Sequence, residues 1–397
     1  MNWNDPRVQL SLKDLREMLD ARGRDSRLVR AAFRWSRTKK KFLERTKQWF
    51  YGLKSHEDKK GSPIRVLFWL VGGLGDAACA KRLVAAYREM LPMARFDIYS
   101  GLPGVAQALF GADLHTHILK DNKICWADYD LAAQVCLSIK FLHVNEERFS
   151  ALAPSFLPVL ERAQRAQKSL GSLLEDIFLT ESILGRWLYA NGGHRFDLLS
   201  YTGGTEISEE PNERIYVPAD ALKRWDLAAG TYVTFHDGTS EAQQVGTARP
   251  TRAWPRERWR EFLRLFKKDF SHIKLVQLGG SNSPVYPEAD VNLVGKTNVT
   301  DLPALMSGAK LHIDTESGLV HLAQYLDVKS IVLFGPSSVP FFGYGKNRNI
   351  AAGPCGGCMW TTTDWMFKCP LGKKESSCME NVSAQTVLKE VAEELAR

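Results

Sequence analysis

Three groups of residues in this chain have the types and spacing for chemistry. In the first, an apolar strand-like run from Ala309 to Asp314 stops at a Ser317-Gly318 turn. A helix-like run, Leu319 to Leu326, follows, and then a β-branched strand, Ser330 to Phe334, closed by Gly335-Pro336. Strand, glycine turn, helix and strand in that order gather backbone N–H groups at a helix start, where the helix dipole attracts anions. A diphosphate fits such a turn, and Glu316 and His321 lie where they could touch the rest of a nucleotide or a sugar. The same residues would also serve in a plain βαβ crossover.

The second group is Gly73-Leu74-Gly75-Asp76, directly after the apolar run Ile64 to Val71. Glycines at the carboxyl end of a strand let the backbone approach phosphate or substrate closely, and the carboxylate lands at the mouth of a cleft. Gly73, Gly75 and Ala78 nearly complete a dinucleotide fingerprint, but Asp97 lies within its strand instead of closing it. A nicotinamide role is therefore not expected. The third group is Cys355-x-x-Cys358, followed by Cys369 and Cys378, four thiols within 24 residues. In a chain expected to stay in the cytoplasm this spacing points to a tetrahedral thiolate metal site more than to disulfides. Zinc and iron both suit four sulfurs, and free thiols or two disulfides are the alternative.

These groups need elements to hold them. After a linker, His56 to Ser62, a first strand (Ile64 to Val71), a helix (Ala77 to Met90) and a second strand (Phe96 to Tyr99) open a doubly wound domain. The stretch from 145 to 200 reads as mostly helical. A second domain opens at Thr231 to Phe235 and continues with a helix from Arg256 to Phe266 and a strand from Ile273 to Leu278. Val291 to Val294 and a helix from Asp301 to Ser307 come next, and an amphipathic helix, Ser383 to Ala396, ends the chain. The expected division is a basic helical extension over 1–62, a Rossmann-like domain over 63–228, a second over 229–382 that carries the cysteine segment 355–378, and a last helix over 383–397. Two such α/β domains facing one another leave a cleft, where ligands bind.

At 397 residues, 44% apolar and 25% charged, the chain has the composition of a globular protein with two cores. No apolar run approaches the roughly 18 residues needed to span a bilayer, and the start lacks the pattern of a signal peptide. The net charge of +8 is unevenly placed, because residues 1–62 hold 17 Lys/Arg against 8 Asp/Glu and the remainder is close to neutral. Within residues 24–54, Leu28, Trp35, Phe42 and Trp49 recur every seven residues among many cations. A helix with that stripe suits an anionic membrane surface, and it would equally pack on the body with its cations solvated. Nucleic acid is not expected, since no nucleic-acid module is present and the body has no basic surplus.

The ordered set of motifs resembles glycosyltransferase family 9, the ADP-heptose heptosyltransferases, which adopt the two-Rossmann GT-B fold. The resemblance is carried by Gly73-Leu-Gly75-Asp76, Arg252-Ala-Trp254-Pro255 with Trp259, and Leu293-Val-Gly295-Lys-Thr297. It continues through Ser317-Gly-Leu-Val-His-Leu-Ala323, Phe334-Gly-Pro336 and Gly343-Tyr-Gly-Lys-Asn347. Together these span residues 64–397 in the family's order. The resemblance implies an inverting glycosyltransferase that moves a sugar from an ADP-sugar such as ADP-heptose. The acceptor would be a hydroxyl of a surface glycan such as lipopolysaccharide, of a glycolipid or of a protein, and no metal would be needed for catalysis. It implies cytoplasmic action, with the basic arm able to hold the enzyme against the inner leaflet, and acceptor contacts from the N-terminal half.

The resemblance also distributes roles. Asp76 would be the general base, with Gly73 and Gly75 shaping the donor site. Thr239 and Ser240 stand where the family places small hydroxyls near the donor phosphates. Arg252 stands where the family commonly has Lys, and keeps the phosphate-binding charge. The turn Ser317, Gly318, Leu319 to His321 would offer N–H groups to the diphosphate. The family usually has Asp before this turn, where the present chain has Glu316, so either Glu316 or Asp314 could be the functional acid. The segment from Cys355 to Cys378 resembles the iron-bearing tail of bacterial autotransporter heptosyltransferases, where the metal supports an irregular tail away from the sugar. Two other readings compete: a nucleotide-sugar epimerase or hydrolase of the same fold, and a non-catalytic binding module.

Overall fold

The structure, a computed structural model, describes residues 62–120, 124–174, 183–218, 220–238, 249–362, 364–373 and 376–397, with residues 3, 5, 8 and 11–15 near the start. The basic arm over 24–54 and the pair Thr239 and Ser240 lie outside the described residues.

The first sheet contains β1 (Arg65–Leu70), β2 (Arg95–Ser100), β3 (Thr116–Ile118), β4 (Leu131–Val135) and β5 (Ile139–Val144), in the order β3-β2-β1-β4-β5. All neighbours are parallel except β5, which returns antiparallel to β4. β1 is central, and Val66, Leu67 and Phe68 are almost fully buried, which explains why its apolar run does not alternate. Around this sheet lie α1 (Leu74–Met90), α2 (Pro103–Phe110), α3 (Glu146–Leu152), α4 (Leu157–Leu170), α5 (Arg186–Ala190) and α6 (Arg195–Gly203). The helix-rich stretch after residue 145 is thus several short helices. Pro154, Gly171 and the Gly192-Gly193 pair fall at its breaks.

The second sheet is parallel throughout: β6 (Tyr232–Phe235), β7 (Lys274–Gln277), β8 (Val291–Asn292), β9 (His312–Thr315), β10 (Ser330–Phe334) and β11 (Arg348–Ala351), in the order β11-β10-β9-β6-β7-β8. Its helices are α7 (Arg256–Asp269), α8 (Leu302–Ser307), α9 (Gly318–Ala323), α10 (Val339–Phe342), α11 (Ser377–Glu380) and α12 (Ala384–Leu395). Val387 and Val391 of α12 share a core with Trp254, Phe262 and Leu333, so the last helix packs within the second lobe.

Two boundaries move in ways that matter for the cleft. Helix α1 begins at Leu74, three residues before the expected Ala77, because the Asp76 carboxylate accepts the Gly73 N–H at 3.1 Å and closes the first turn. Strand β9 begins at His312, because Ala309 still closes α8 through its N–H to Met306 O at 3.0 Å.

The lobes meet at their glycine turns. A Cβ on Gly75 would lie 2.9 Å from His321 Cδ2 and 3.3 Å from Gly318 Cα, and a Cβ on Gly318 would lie 3.0 Å from Gly75 N. Beside this contact Tyr325 OH donates to Ala78 O at 2.5 Å. One apolar cluster runs from Phe68 and Leu83 of the first lobe to Val320, Leu322 and Tyr325 of the second. Gly318→Ala is expected to cost about 1–3 kcal/mol of unfolding free energy, since backbone on the far side cannot yield. Gly345→Ala, with nothing within 4 Å of its added Cβ, is the matched control and should be near neutral. Urea unfolding of both variants checks the difference.

Candidate functional site

A cavity of about 430 Å³ opens where the carboxyl ends of the two sheets face each other. The first lobe lines it with the turn from Gly73 to Asp76, Leu137 and Arg195. The second contributes His236, Gly238, Arg252, Glu316 to Leu319 and His321, and the chain after β10 adds Phe342, Trp360, Trp365 and Met366. Gly73, Gly75, Asp76, Arg252, Glu316, Ser317, Gly318, Leu319 and His321, all candidates from sequence, are therefore brought to one place.

Asp76 sits in the first turn of α1 with both carboxylate oxygens engaged. Oδ2 faces Gly73 N, and Oδ1 accepts from Arg195 Nη2 at 3.2 Å. Gly72 makes this geometry feasible: its φ is +103°, and a Cβ there would fall 2.4 Å from Asp76 Oδ2. Arg195 opens α6 and is 6% exposed, so a buried cation is aimed at the carboxylate from the same lobe.

Across the cavity Glu316 lies between two cations, with Oε2 3.5 Å from Arg252 Nη1 and Oε1 3.5 Å from His321 Nε2. Burial pushes the Glu316 carboxyl up, but His321 and Arg252 outweigh it and hold the carboxyl below its ordinary range. His321 Nδ1 is 2.6 Å from Tyr344 OH and 3.7 Å from Cys79 Sγ, which stands three residues past Asp76 on α1. Burial alone would lower the imidazole, yet Cys79 and Glu316 raise it to about 9. The Cys79 thiol moves the other way: burial would raise it, and Arg195 with His321 brings it down to about 7. Two paired sets therefore line the cavity, Asp76 with Arg195 on the first lobe and Glu316 with His321 and Arg252 on the second, and the buried Cys79 meets His321 behind them.

Asp314 does not line the cavity. Its carboxylate is fully buried, with Oδ1 3.0 Å from His236 Nδ1, Oδ2 3.2 Å from His312 Nε2 and the Ser317 hydroxyl donating to Oδ2. Glu316, one step past β9, is the acid that reaches the cavity. Ser317 Oγ also accepts the Leu319 N–H at 3.2 Å, so that donor is committed to the helix cap and not to a ligand. Asp314 thus braces the turn from beneath.

Several lining residues escaped the sequence reading. His236 and Gly238 follow β6 as a strand end with a glycine, the signal that marked the other turns. Arg195 had no marker, because only the return of α6 to the cleft places it there. Trp365 and Met366 are tied beside Arg252 through their carbonyls, which accept from Thr251 Oγ1 at 2.7 Å and Thr251 N at 2.9 Å.

The four tail cysteines share a neighbourhood. Burial raises the Cys378 thiol to about 11, with further upward pushes from Cys355, Cys358 and Cys369. Burial and then Cys369 and Cys355 raise Cys358 as well. Among the described residues no group of three or more His, Cys, Asp or Glu is arranged to hold a metal ion. Likewise no described helix is long and apolar enough to cross a membrane.

Two facing α/β lobes with a charged cleft at their strand ends define a GT-B fold, and solved structures bear this out. E. coli ADP-heptose lps heptosyltransferase II superposes with a TM-score of 0.54 at 17% identity, over 84% of this chain and 99% of its own. The dodecameric iron-containing heptosyltransferase TibC, in complex with ADP-D-beta-D-heptose, gives a TM-score of 0.55 at 13% identity, over 84% and 77%. Residues 228–361 match the sequence model of glycosyltransferase family 9 (heptosyltransferase). Lipopolysaccharide heptosyltransferase 1 of Escherichia coli K12 is 29% identical over 133 residues, 32% of this chain. That match spans 39% of the E. coli protein, well under half of its length.

The bracing of the turn has a measurable consequence. Burial pushes the Asp314 carboxyl up, and His236 and His312 overcome this to hold it at about 2. A depressed carboxyl stabilises the fold above its unfolded pKa and loses that contribution as pH falls through the folded value. Asp314→Asn is therefore expected to cost about 2 kcal/mol at pH 7. The gap from wild type should close as pH falls from 3.8 towards about 2, as read by denaturant unfolding across that window.

Proposed function

We propose that this protein is an inverting glycosyltransferase that moves a sugar, heptose, from an ADP-linked donor to a hydroxyl of a surface glycan such as lipopolysaccharide. The observation that carries this reading is the shared cavity: Asp76 of one lobe faces Arg252, Glu316 and the Ser317–His321 turn of the other. The donor sugar and the acceptor class are supported by the proteins this chain resembles, one a heptosyltransferase in complex with ADP-D-beta-D-heptose and one a lipopolysaccharide heptosyltransferase.

In the proposed reaction the acceptor oxygen attacks the anomeric carbon from the face opposite the diphosphate. The C–O bond to the diphosphate breaks, and its electron pair leaves with ADP, which inverts the anomeric centre. The hydroxyl proton passes to Asp76, a carboxylate whose remaining lone pairs can accept it while Arg195 and Gly73 fix its orientation. Negative charge that develops on the leaving diphosphate is met by Arg252 and by the His321 imidazolium, whose charge the Cys79 and Glu316 contacts sustain. These cations take the place of a catalytic metal. The arm over 24–54 would hold the enzyme at the anionic inner face of the cytoplasmic membrane, where lipid-linked acceptors reside.

We also propose that Cys355, Cys358, Cys369 and Cys378 hold one structural iron or zinc. Burial first, and then the neighbouring cysteines, raise the Cys378 and Cys358 thiols, and a bound cation would favour their thiolates and support an irregular segment. Elemental analysis of freshly purified protein should then find about one zinc or iron per chain. Absence of both metals, with four titratable thiols, would remove the site.

For the reaction, Asp76→Asn should lower acceptor-dependent ADP release from ADP-heptose by roughly 10²- to 10⁴-fold while ADP affinity stays within about threefold. Near wild-type turnover in that variant would take Asp76 out of the mechanism. ADP release that ignores the acceptor would point instead to a hydrolase or epimerase.

A further inference from the structure

The cysteine-rich tail does more than close the second lobe. Its segment runs between the two lobes and is pinned from both sides. Arg186 of the first lobe donates from Nη1 to Gly357 O at 2.8 Å and Met359 O at 3.2 Å. Thr251 of the second lobe holds the carbonyl of Trp365 at 2.7 Å, one residue from Arg252. Along this anchored segment Trp360 and Trp365 line the same cavity as Asp76 and Arg252.

Trp360 is held there against its backbone preference. Its φ is +59°, in the left-handed region that a bulky side chain avoids, and such conformations persist where the surroundings over-determine them. The ring packs edge-on against Phe341 at 5.3 Å between centroids and lies 6.0 Å from Phe342. On the first lobe, a Cβ on Gly185 would come within 3.1 Å of Trp360 Cζ3, so a glycine makes room for the indole. A strained aromatic with space cleared on the opposite lobe is a placed wall and not a loose loop.

The cavity thus has two characters. Its lining joins Arg252 and His321, suited to diphosphate, with the aromatic residues Phe342, Trp360 and Trp365. A pyranose offers apolar C–H faces ringed by hydroxyls, and an indole buries such a face over a large area with little loss of side-chain freedom. We infer that Trp360 and Trp365 form the surface against which the transferred sugar ring packs, and so select the sugar of the donor. The inference rests on the donor reading above, and it gives the tail a share of the sugar site where the sequence resemblance implied only remote support.

The test compares ADP with ADP-heptose as calorimetric ligands for the full chain. Trp360→Ala and Trp365→Ala should each weaken ADP-heptose binding by roughly 10- to 100-fold, with ADP changed by less than about twofold. Trp360→Phe and Trp365→Phe, which keep an apolar ring, should recover most of the loss. Equal weakening of both ligands would mean that the tail only supports the fold, and would overturn the inference. So would unaltered ADP-heptose binding in the alanine variants, or a wild-type protein that binds ADP-heptose no more tightly than ADP. The Asp76→Asn measurement is independent: a failed base leaves the selectivity ratio of the tryptophan variants intact.

Discussion

Gly75 and Gly318 lie backbone to backbone, and the position of nearly every other group in the cleft follows from that approach. Each begins or nearly begins a helix, so the contact sets the start of α1 against the start of α9. Residues that follow on those helices are then placed by helical geometry alone. Asp76 and Cys79, three apart, project on one face of α1, and His321 projects from α9 three residues beyond Gly318. Any side chain at either glycine would hold the helices apart and separate Asp76 of one lobe from Arg252 and His321 of the other.

Bringing so many charges out of water is costly unless each has a partner. Here each carboxylate has a cation of its own lobe beside it, and Cys79 meets His321 across the lobe boundary. Arg195 serves both Asp76 and Cys79, His321 serves both Cys79 and Glu316, and Arg252 completes the run. The charges stabilise one another and also tie the lobes together electrostatically, which keeps the cleft preorganised for an anion beside a hydroxyl. Beneath them, Asp314 with His236, His312 and Ser317 forms a buried, hydrogen-bonded layer that fixes the turn from which Glu316 emerges.

The tail adds a third wall to this two-lobed arrangement. It has little regular structure, yet its path is set by hydrogen bonds to both lobes and by aromatic contacts around Phe341 and Phe342. An irregular segment anchored at several points can present a rigid surface, and loops held on rigid elements commonly carry recognition. Trp360 and Trp365 lie between Cys358 and Cys369 on one short stretch, so whatever orders the thiols also orders the indoles.

By itself the sequence determined the α/β class, the two glycine turns after strands, and the gathering of cysteines, because each is a local pattern of periodicity or spacing. Long apolar runs such as Ile64 to Val71 read as buried parallel strands, and glycine at a strand end marks a turn whatever surrounds it. Element ends were less legible: the start of α1 at Leu74 depends on a side chain, Asp76, reaching back to the Gly73 N–H. Only the tertiary structure separated Asp314 from Glu316, since both are acids near one turn and the choice depends on which is enclosed by neighbouring strands. Only it brought Arg195 to Asp76 across 119 residues of sequence and carried Trp360 and Trp365 into the cleft. Those placements come from how separate helices and an irregular tail pack, and pairing over long separations leaves no periodic trace in the chain.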